Sequence, residues 1–406
     1  MAKKTKANDE LRIGIIGAGG RGCVAKNAHG VDGGKVVAVC DIRPEALKHW
    51  NEYVDSQKHL FTTHEKLYHT KDYRKLLDRK DVDAVFVTAP DYLHEEMALA
   101  ALDAGKSVYL EKPMTITLEG CDRVLKKAME TGSKLFVGHN MRHMDFILKM
   151  KELIESGIIG ELQACWCRHF ISYGGDAYFK DWHSEQKNTT GLLLQKGAHD
   201  IDVIHWLSGG FTKRVVGMGK LSVYNRCPDR RDPALPGCAA WDSANWPPLE
   251  QKQISPVIDV EDQSTIMMEL DNGVMANYMQ CHYTPDECRN YTFIGDAGRI
   301  ENIGSNHIAI YTNRSGSSFN DPNQLIRLTP PGGGHGGADP QIVRAFVNFA
   351  KGAGTVESNS PIAARNSVAT GVLGSYSMRN GNIPMDVPLI TDKKMIRYFA
   401  NGQKKK

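Results

Sequence analysis

No apolar run in this chain approaches the ~18 consecutive residues a membrane-spanning helix needs, which excludes an integral helical membrane protein. Charge of one sign is also scarce. Fifty basic against 47 acidic residues leave +3, and the terminal lysines (Lys3, Lys4, Lys6, Lys404, Lys405, Lys406) exceed that surplus by themselves. The sequence therefore offers no extended basic face for a nucleic-acid backbone, its ends read as solvated tails (1–7 and 400–406), and its near-neutral body suits an uncharged substrate. No C-x-x-C pair occurs among the nine cysteines, and Cys23, Cys40, Cys165 and Cys167 sit inside apolar segments. Free buried thiols in a reducing compartment follow, rather than disulfides or zinc. Polar Asn8, Asp9 and Glu10 stand where a signal peptide needs its apolar region, so the expected location is cytoplasmic. Repeats and low-complexity stretches are absent apart from the lysine ends.

What is present fits a globular chain of two domains: 406 residues, 41% hydrophobic and 24% charged. Short apolar runs without polar alternation (12–16, 36–40, 83–88, 107–110, 134–138) are separated by helical stretches at 43–55, 73–79, 94–105 and 118–131. This is the grammar of a parallel sheet covered on both faces. After a connecting helix over 144–156 the strands lengthen and alternate (161–172, 213–224, 264–280, 307–313), with Asn272-Gly273 marking a hairpin. The expectation is an α/β fold, an N-terminal doubly wound Rossmann domain over 8–140 and a C-terminal α+β domain over 141–390. That second domain carries an open, mostly antiparallel sheet, a long surface excursion at 225–262, and helices at 340–351 and 361–379.

Gly17-Ala18-Gly19-Gly20-Arg21-Gly22 matches G-x-G-x-x-G between a strand and a helix expected over 23–28. Gly17 serves the tight turn, Gly19 lets the backbone approach a pyrophosphate, Gly22 permits close packing, and Gly20 and Arg21 open the helix that faces the phosphates. Asp41 ends the second strand, where a carboxylate accepts from both adenosine ribose hydroxyls and repels a 2′-phosphate. NAD is favoured over NADP, although Arg43 keeps the second cofactor possible.

Further stretches resemble the Gfo/Idh/MocA family of NAD(P)-dependent sugar oxidoreductases: Thr88-Ala89-Pro90-Asp91-Tyr92-Leu93-His94, Glu111-Lys112-Pro113, Gly138-His139-Asn140-Met141-Arg142 and Gly197-Ala198-His199-Asp200-Ile201-Asp202. The resemblance runs from about residue 11 to 390. It implies that Thr88, Pro90, Asp91, His94, Glu111 and Asn140 border the cofactor, that Lys112 lies beside the nicotinamide ribose and the reacting hydroxyl, and that His199 is the acid/base. It also implies association into a homodimer or homotetramer through the C-terminal sheet. Imidazole suits the last role because a secondary alcohol that loses hydride must also lose its O–H proton near neutral pH.

Two departures stand out. Where the family commonly has Asp four residues before the histidine, this chain has Gln195, followed by Lys196. A glycine-rich Gly332–Asp339 stretch puts His335 near the substrate pocket or in a simple loop ahead of a helix; similar stretches occur in relatives resembling NAD-dependent glycosidases. Other substrate-pocket candidates are Arg142, Tyr173 and the Trp182-His183 pair, the pair being equally readable as a surface loop. Spacing among His199, Asp200, Asp202 and His205 fits no zinc signature, so no metal is expected. The expected function is hydride transfer between NAD and a secondary hydroxyl of a sugar, polyol or glycoside. The alternative is a glycoside hydrolase or lyase that oxidises its sugar transiently with bound cofactor.

Overall fold

The computed structural model describes residues 10–61, 66–234, 241–242, 245–314, 321–329, 331–354 and 359–403. The terminal lysines lie outside these residues. Residues 400–403 depart from the expected tail: Gln403 is buried, and its side chain accepts from Leu135 N at 2.7 Å and donates to Leu135 O at 2.6 Å.

The first sheet comprises β1 (Leu11–Ile16), β2 (Gly34–Cys40), β3 (Tyr68–Thr70), β4 (Ala84–Val87), β5 (Ser107–Leu110) and β6 (Leu135–Val137). They run parallel in the order β3-β2-β1-β4-β5-β6, reversing beside β1, where an open α/β sheet places its ligand crevice. All seven residues of β2 are buried, as a strand covered on both faces requires. Part of that cover comes from far downstream. The Ala338–Ala350 helix lays Ile342, Val343, Phe346, Val347 and Phe349 on this sheet, with Phe346 edge-on to Phe86 at 5.1 Å.

The second sheet holds β7 (Leu162–Phe170), β8 (Thr212–Lys220), β9 (Gln263–Leu270), β10 (Met275–Cys281), β11 (Cys288–Gly295), β12 (Arg299–Ile303), β13 (His307–Tyr311), β14 (Gln324–Arg327) and β15 (Met385–Asp386). Its order is β14-β13-β12-β11-β7-β10-β9-β8-β15, antiparallel throughout except where β10 runs parallel to β7. The β9–β10 hairpin turns at Gly273 (φ +91), a conformation that favours glycine. Inner residues such as Ile266, Met268, Ala276 and Tyr278 pack on the Gly197–Ser208 and Pro361–Arg379 helices, while Met218, Met267, Met275 and Met279 stay exposed on the outer face.

Three expectations need correction. The helix placed at 23–28 is a 3-10 segment over Gly20–Ala28; Gly20 at φ +49 lies outside the α region and weakens regular winding at its start. Strands β11 and β12 were not anticipated. Most importantly, the described part of 225–262 is not merely a surface excursion. Ile254, Val260 and Asp262 are fully buried, and the Asp262 carboxylate accepts from the backbone N–H groups of Ser222, Val223 and Tyr224 at 2.6–3.1 Å. Trp241 stacks on Tyr173, with centroids 6.0 Å apart, so this segment braces the wall of the cleft described next.

Candidate active site

At the end of β1 the chain turns through Gly17 (φ +85), where a Cβ would lie 2.5 Å from Ala89 N. Trp50 Nε1 donates to Ala18 O at 2.7 Å and Thr88 Oγ1 to Gly17 O at 2.8 Å, which fixes the loop from two sides. Beyond Gly20 there is open space. Asp41 is buried at the end of β2; one carboxylate oxygen accepts from Gly19 N at 2.8 Å, the other from Arg43 N at 2.8 Å. The Arg43 guanidinium rests against Gly19 with its Nε 3.3 Å from Asp41, and its side chain is 61% exposed. Asp41, Arg43, Thr88 and Pro90 line one half of the crevice together with Tyr73, Leu93 and Met97.

The other half is a cavity of about 400 Å³ beyond β5. Gly19, Gly20, Arg21, Asp91, His94, Glu111, Lys112, Asn140, Trp182, His183, Gln195, Lys196, His199 and His335 all border it. Lys112 Nζ donates to Gln195 O at 3.0 Å, linking the end of β5 to the segment that carries His199. Burial pushes Lys112 below the ordinary lysine range, against the pull of Asp91 and Glu111, and pushes Asp91 upward, against the pull of Lys112. His94 is a bracket: its ring nitrogens face Pro113 O at 2.8 Å and Ala89 O at 2.9 Å.

Arg21 and Glu111 take partners that spacing did not suggest. Arg21 bonds Glu111 at 2.6 Å and forks onto Asp339 at 2.8 and 2.9 Å; Asn140 Nδ2 and His335 Nδ1 reach the same Asp339 carboxylate at 3.0 and 2.8 Å. The glycine-rich Gly332–Asp339 stretch is thereby tied to the fingerprint loop. Burial alone would raise Asp339, but His335 and Arg21 outweigh it and hold the carboxylate ionised.

The Gly197–Ser208 helix sends its polar residues in different directions. His199 faces the cavity, and its Nδ1 is buried with no partner among the described residues. Burial, then the cations Lys112, Arg289 and Lys196, drive this imidazole well below 6.5, so it is neutral at neutral pH. Asp200 points the other way, to Arg289 Nε at 2.9 Å, His169 at 3.0 Å and the Tyr291 hydroxyl. Lys196 donates to the Tyr173 hydroxyl at 3.0 Å. Tyr173, expected in the pocket, does not border the cavity but sits behind Lys196; the Trp182-His183 pair, stacked at 3.7 Å, does border it, with His183 against Asp181.

Arg142 does not reach the cavity, contrary to the expectation. It is 3% exposed, forks onto Asp202 at 2.7 Å through both bonds, and lies over Trp206 at 5.1 Å. An inward-facing carboxylate on the helix captures it, so its role is to anchor the helix that carries His199. Residues that sequence reasoning missed are Arg289, Tyr178, His139 and Asp339. His139 and Asp339 stood inside motifs already singled out; Arg289 comes from a strand with no distinctive signal.

Two family models match the chain: an oxidoreductase family NAD-binding Rossmann fold over residues 11–139, and the same family's C-terminal alpha/beta domain over 151–387. The chain belongs to the Gfo/Idh/MocA oxidoreductase family. Its first domain is accordingly an NAD-binding Rossmann domain, and the residues present fit that cofactor: the close backbone approach at Gly17, the open space at Gly20 and the Asp41 carboxylate. Among its relatives, an inositol 2-dehydrogenase/D-chiro-inositol 3-dehydrogenase of Halalkalibacterium halodurans is 32% identical over 228 residues, which span 55% of this chain and 60% of that protein. A putative oxidoreductase of Bacillus subtilis is 26% identical over 74% of this chain and 78% of its own length. In fold the chain is similar to levoglucosan dehydrogenase in complex with NADH, with a TM-score of 0.75 over 94% of this chain and 100% of that one at 18% identity. Among the described residues, no helix is long and apolar enough to cross a membrane.

Proposed function

We propose that the protein is an NAD-dependent dehydrogenase that oxidises a secondary hydroxyl of a sugar or polyol. The observation that carries this reading is the meeting of Lys112 and His199 across one cavity continuous with the fingerprint loop. Bound NAD supplies the hydride acceptor. The hydroxyl proton passes to His199 Nε2, the nitrogen left toward the cavity when Nδ1 is buried. Lys112, held by Gln195 O, stabilises the negative charge that develops on the alcohol oxygen. Gln195 cannot take the proton as an aspartate would, which leaves His199 as the base. The relatives named above that carry a specific activity are dehydrogenases, and the transient-oxidation glycosidase reading gains no support from them. Incubation with NAD and a panel of sugars, polyols and aryl glycosides tests the proposal: NADH absorbance should rise with at least one sugar or polyol. Aglycone release without net NADH would replace it with the elimination reading.

Cofactor choice rests on Asp41. Loss of a buried charged acceptor of hydrogen bonds costs enough to weaken NAD about tenfold or more. Asp41→Ala is therefore expected to raise the NAD Kd by that factor and to narrow the preference over NADP, measured by fluorescence titration of both cofactors; an unchanged preference discards the assignment. Association of subunits through the outer face of the second sheet is part of the same proposal, supported by the exposed methionines there.

A further inference from the structure

The acids around the cavity have cationic neighbours. Glu111 and Asp339 bind Arg21, Asp200 binds Arg289, and Asp91 faces Lys112. Lys196 is the cation left over. Its Nζ bonds only the neutral Tyr173 hydroxyl at 3.0 Å and lies 5.4 and 5.7 Å from the ring centroids of Tyr173 and Tyr178. No carboxylate among the described residues lies within salt-bridge distance of it; Asp200 and Glu287 act on it only from farther away. Burial, then Arg289 and Lys112, push Lys196 well below the ordinary lysine range, so its charged form is costly in the cleft and a bound anion would restore it.

We infer that Lys196 is the counter-ion for a carboxylate on the substrate, which makes the preferred substrate class a sugar acid rather than a neutral sugar or polyol. The inference rests on the proposed dehydrogenase reading and deepens it. Tyr173 positions the ammonium from behind the cavity lining: its oxygen accepts from Lys196, and Trp241 stacks on its ring. One ammonium matches a monoanionic carboxylate; a phosphate dianion would call for more donors. Lys196 lines the same cavity as Lys112 and His199, so a sugar whose carboxylate is bound there would lie within the space those two residues border.

The test is equilibrium binding to NADH-loaded protein, followed by calorimetry, of matched pairs: glucuronate and glucose, galacturonate and galactose, gluconate and glucitol, with glucose 6-phosphate as the phosphate arm. At least one acid should bind about tenfold or more tightly than its parent, from one charge-assisted contact. Lys196→Met should remove that difference, Lys196→Arg should retain part of it, and Tyr173→Phe should reduce it. Retained NADH binding shows that each variant is folded. Parents that bind as tightly as the acids, no binding by any acid, preference for the phosphate, or a difference that survives Lys196→Met would each overturn the inference. NADH formation, recorded in parallel, judges the dehydrogenase reading separately: oxidation of neutral sugars without acid preference overturns only the carboxylate subsite.

Discussion

Lys112→Met is expected to lower kcat/KM about 10²-fold or more while leaving NAD affinity within a few-fold of wild type. The side chain is half-buried at the junction of β5 and the substrate cavity, where charge developing on an alcohol oxygen is less screened than in open water. Methionine preserves most of the aliphatic stem, so the loss reports the ammonium rather than a cavity. A second signature separates this role from a structural one. His199 must be neutral to accept a proton, so kcat/KM falls as pH drops through its pKa. Burial and then Lys112, Arg289 and Lys196 depress that pKa, which puts the acid limb of the wild-type profile below 6.5. Removal of Lys112 deletes one of those cations, and the limb should move upward. His199→Ala should abolish the limb and cost about 10²-fold in rate. A Lys112→Met enzyme with more than a tenth of wild-type activity, or a wild-type acid limb above 6.5, would discard the assignment.

What the sequence made legible was local chemistry. A strand, a glycine-rich turn and an acid at the next strand end are contiguous features, and each needs only its neighbours to be interpreted. The Gly17–Gly22 loop and Asp41 could therefore be singled out before any geometry was known, while Lys112 and His199 came from the resemblance of their motifs to the family. Partners distant in the chain were not legible. Arg21 was read as a phosphate-facing residue because the loop around it binds dinucleotides, yet its guanidinium is held by Glu111 and by Asp339, 318 positions away. Arg142 was assigned to the pocket because its motif borders one; which of its neighbours carries the compensating charge depends on the rotation of the Gly197–Ser208 helix. Similarly, the proline-rich composition of 225–262 hides a few residues, Trp241 and Asp262 among them, whose contacts make it part of the cleft wall.

Arg142→Met should destabilise the protein by about 3–5 kcal/mol, because it leaves Asp202 buried beside no permanent cation. Asp202 is 1% exposed, and burial alone would raise its pKa; Arg142 first, then His139, reverse that and keep it ionised. In the variant the remaining compensation is a proton, either on Asp202 or on His139, whose Nδ1 lies 3.4 Å from the carboxylate. In wild type His139 is held below 6.5 by burial, with Asp202 pulling upward and Arg142 downward; deleting Arg142 removes a repelling cation and lets its pKa rise. Both groups in the folded variant then bind protons more tightly than in wild type, so the variant's loss of stability relative to wild type must grow as pH rises. Urea unfolding should accordingly show a larger loss at pH 8 than at pH 5.5. The double variant Arg142→Met with Asp202→Leu removes both charges and should recover much of the loss at both pH values. A loss below about 1 kcal/mol, or one equal at the two pH values, would show that Arg142 does not compensate Asp202. Because Asp202 shares its helix with His199 and His139 packs 6.4 Å from the His199 ring, the single variant should also lower kcat at temperatures where it remains folded.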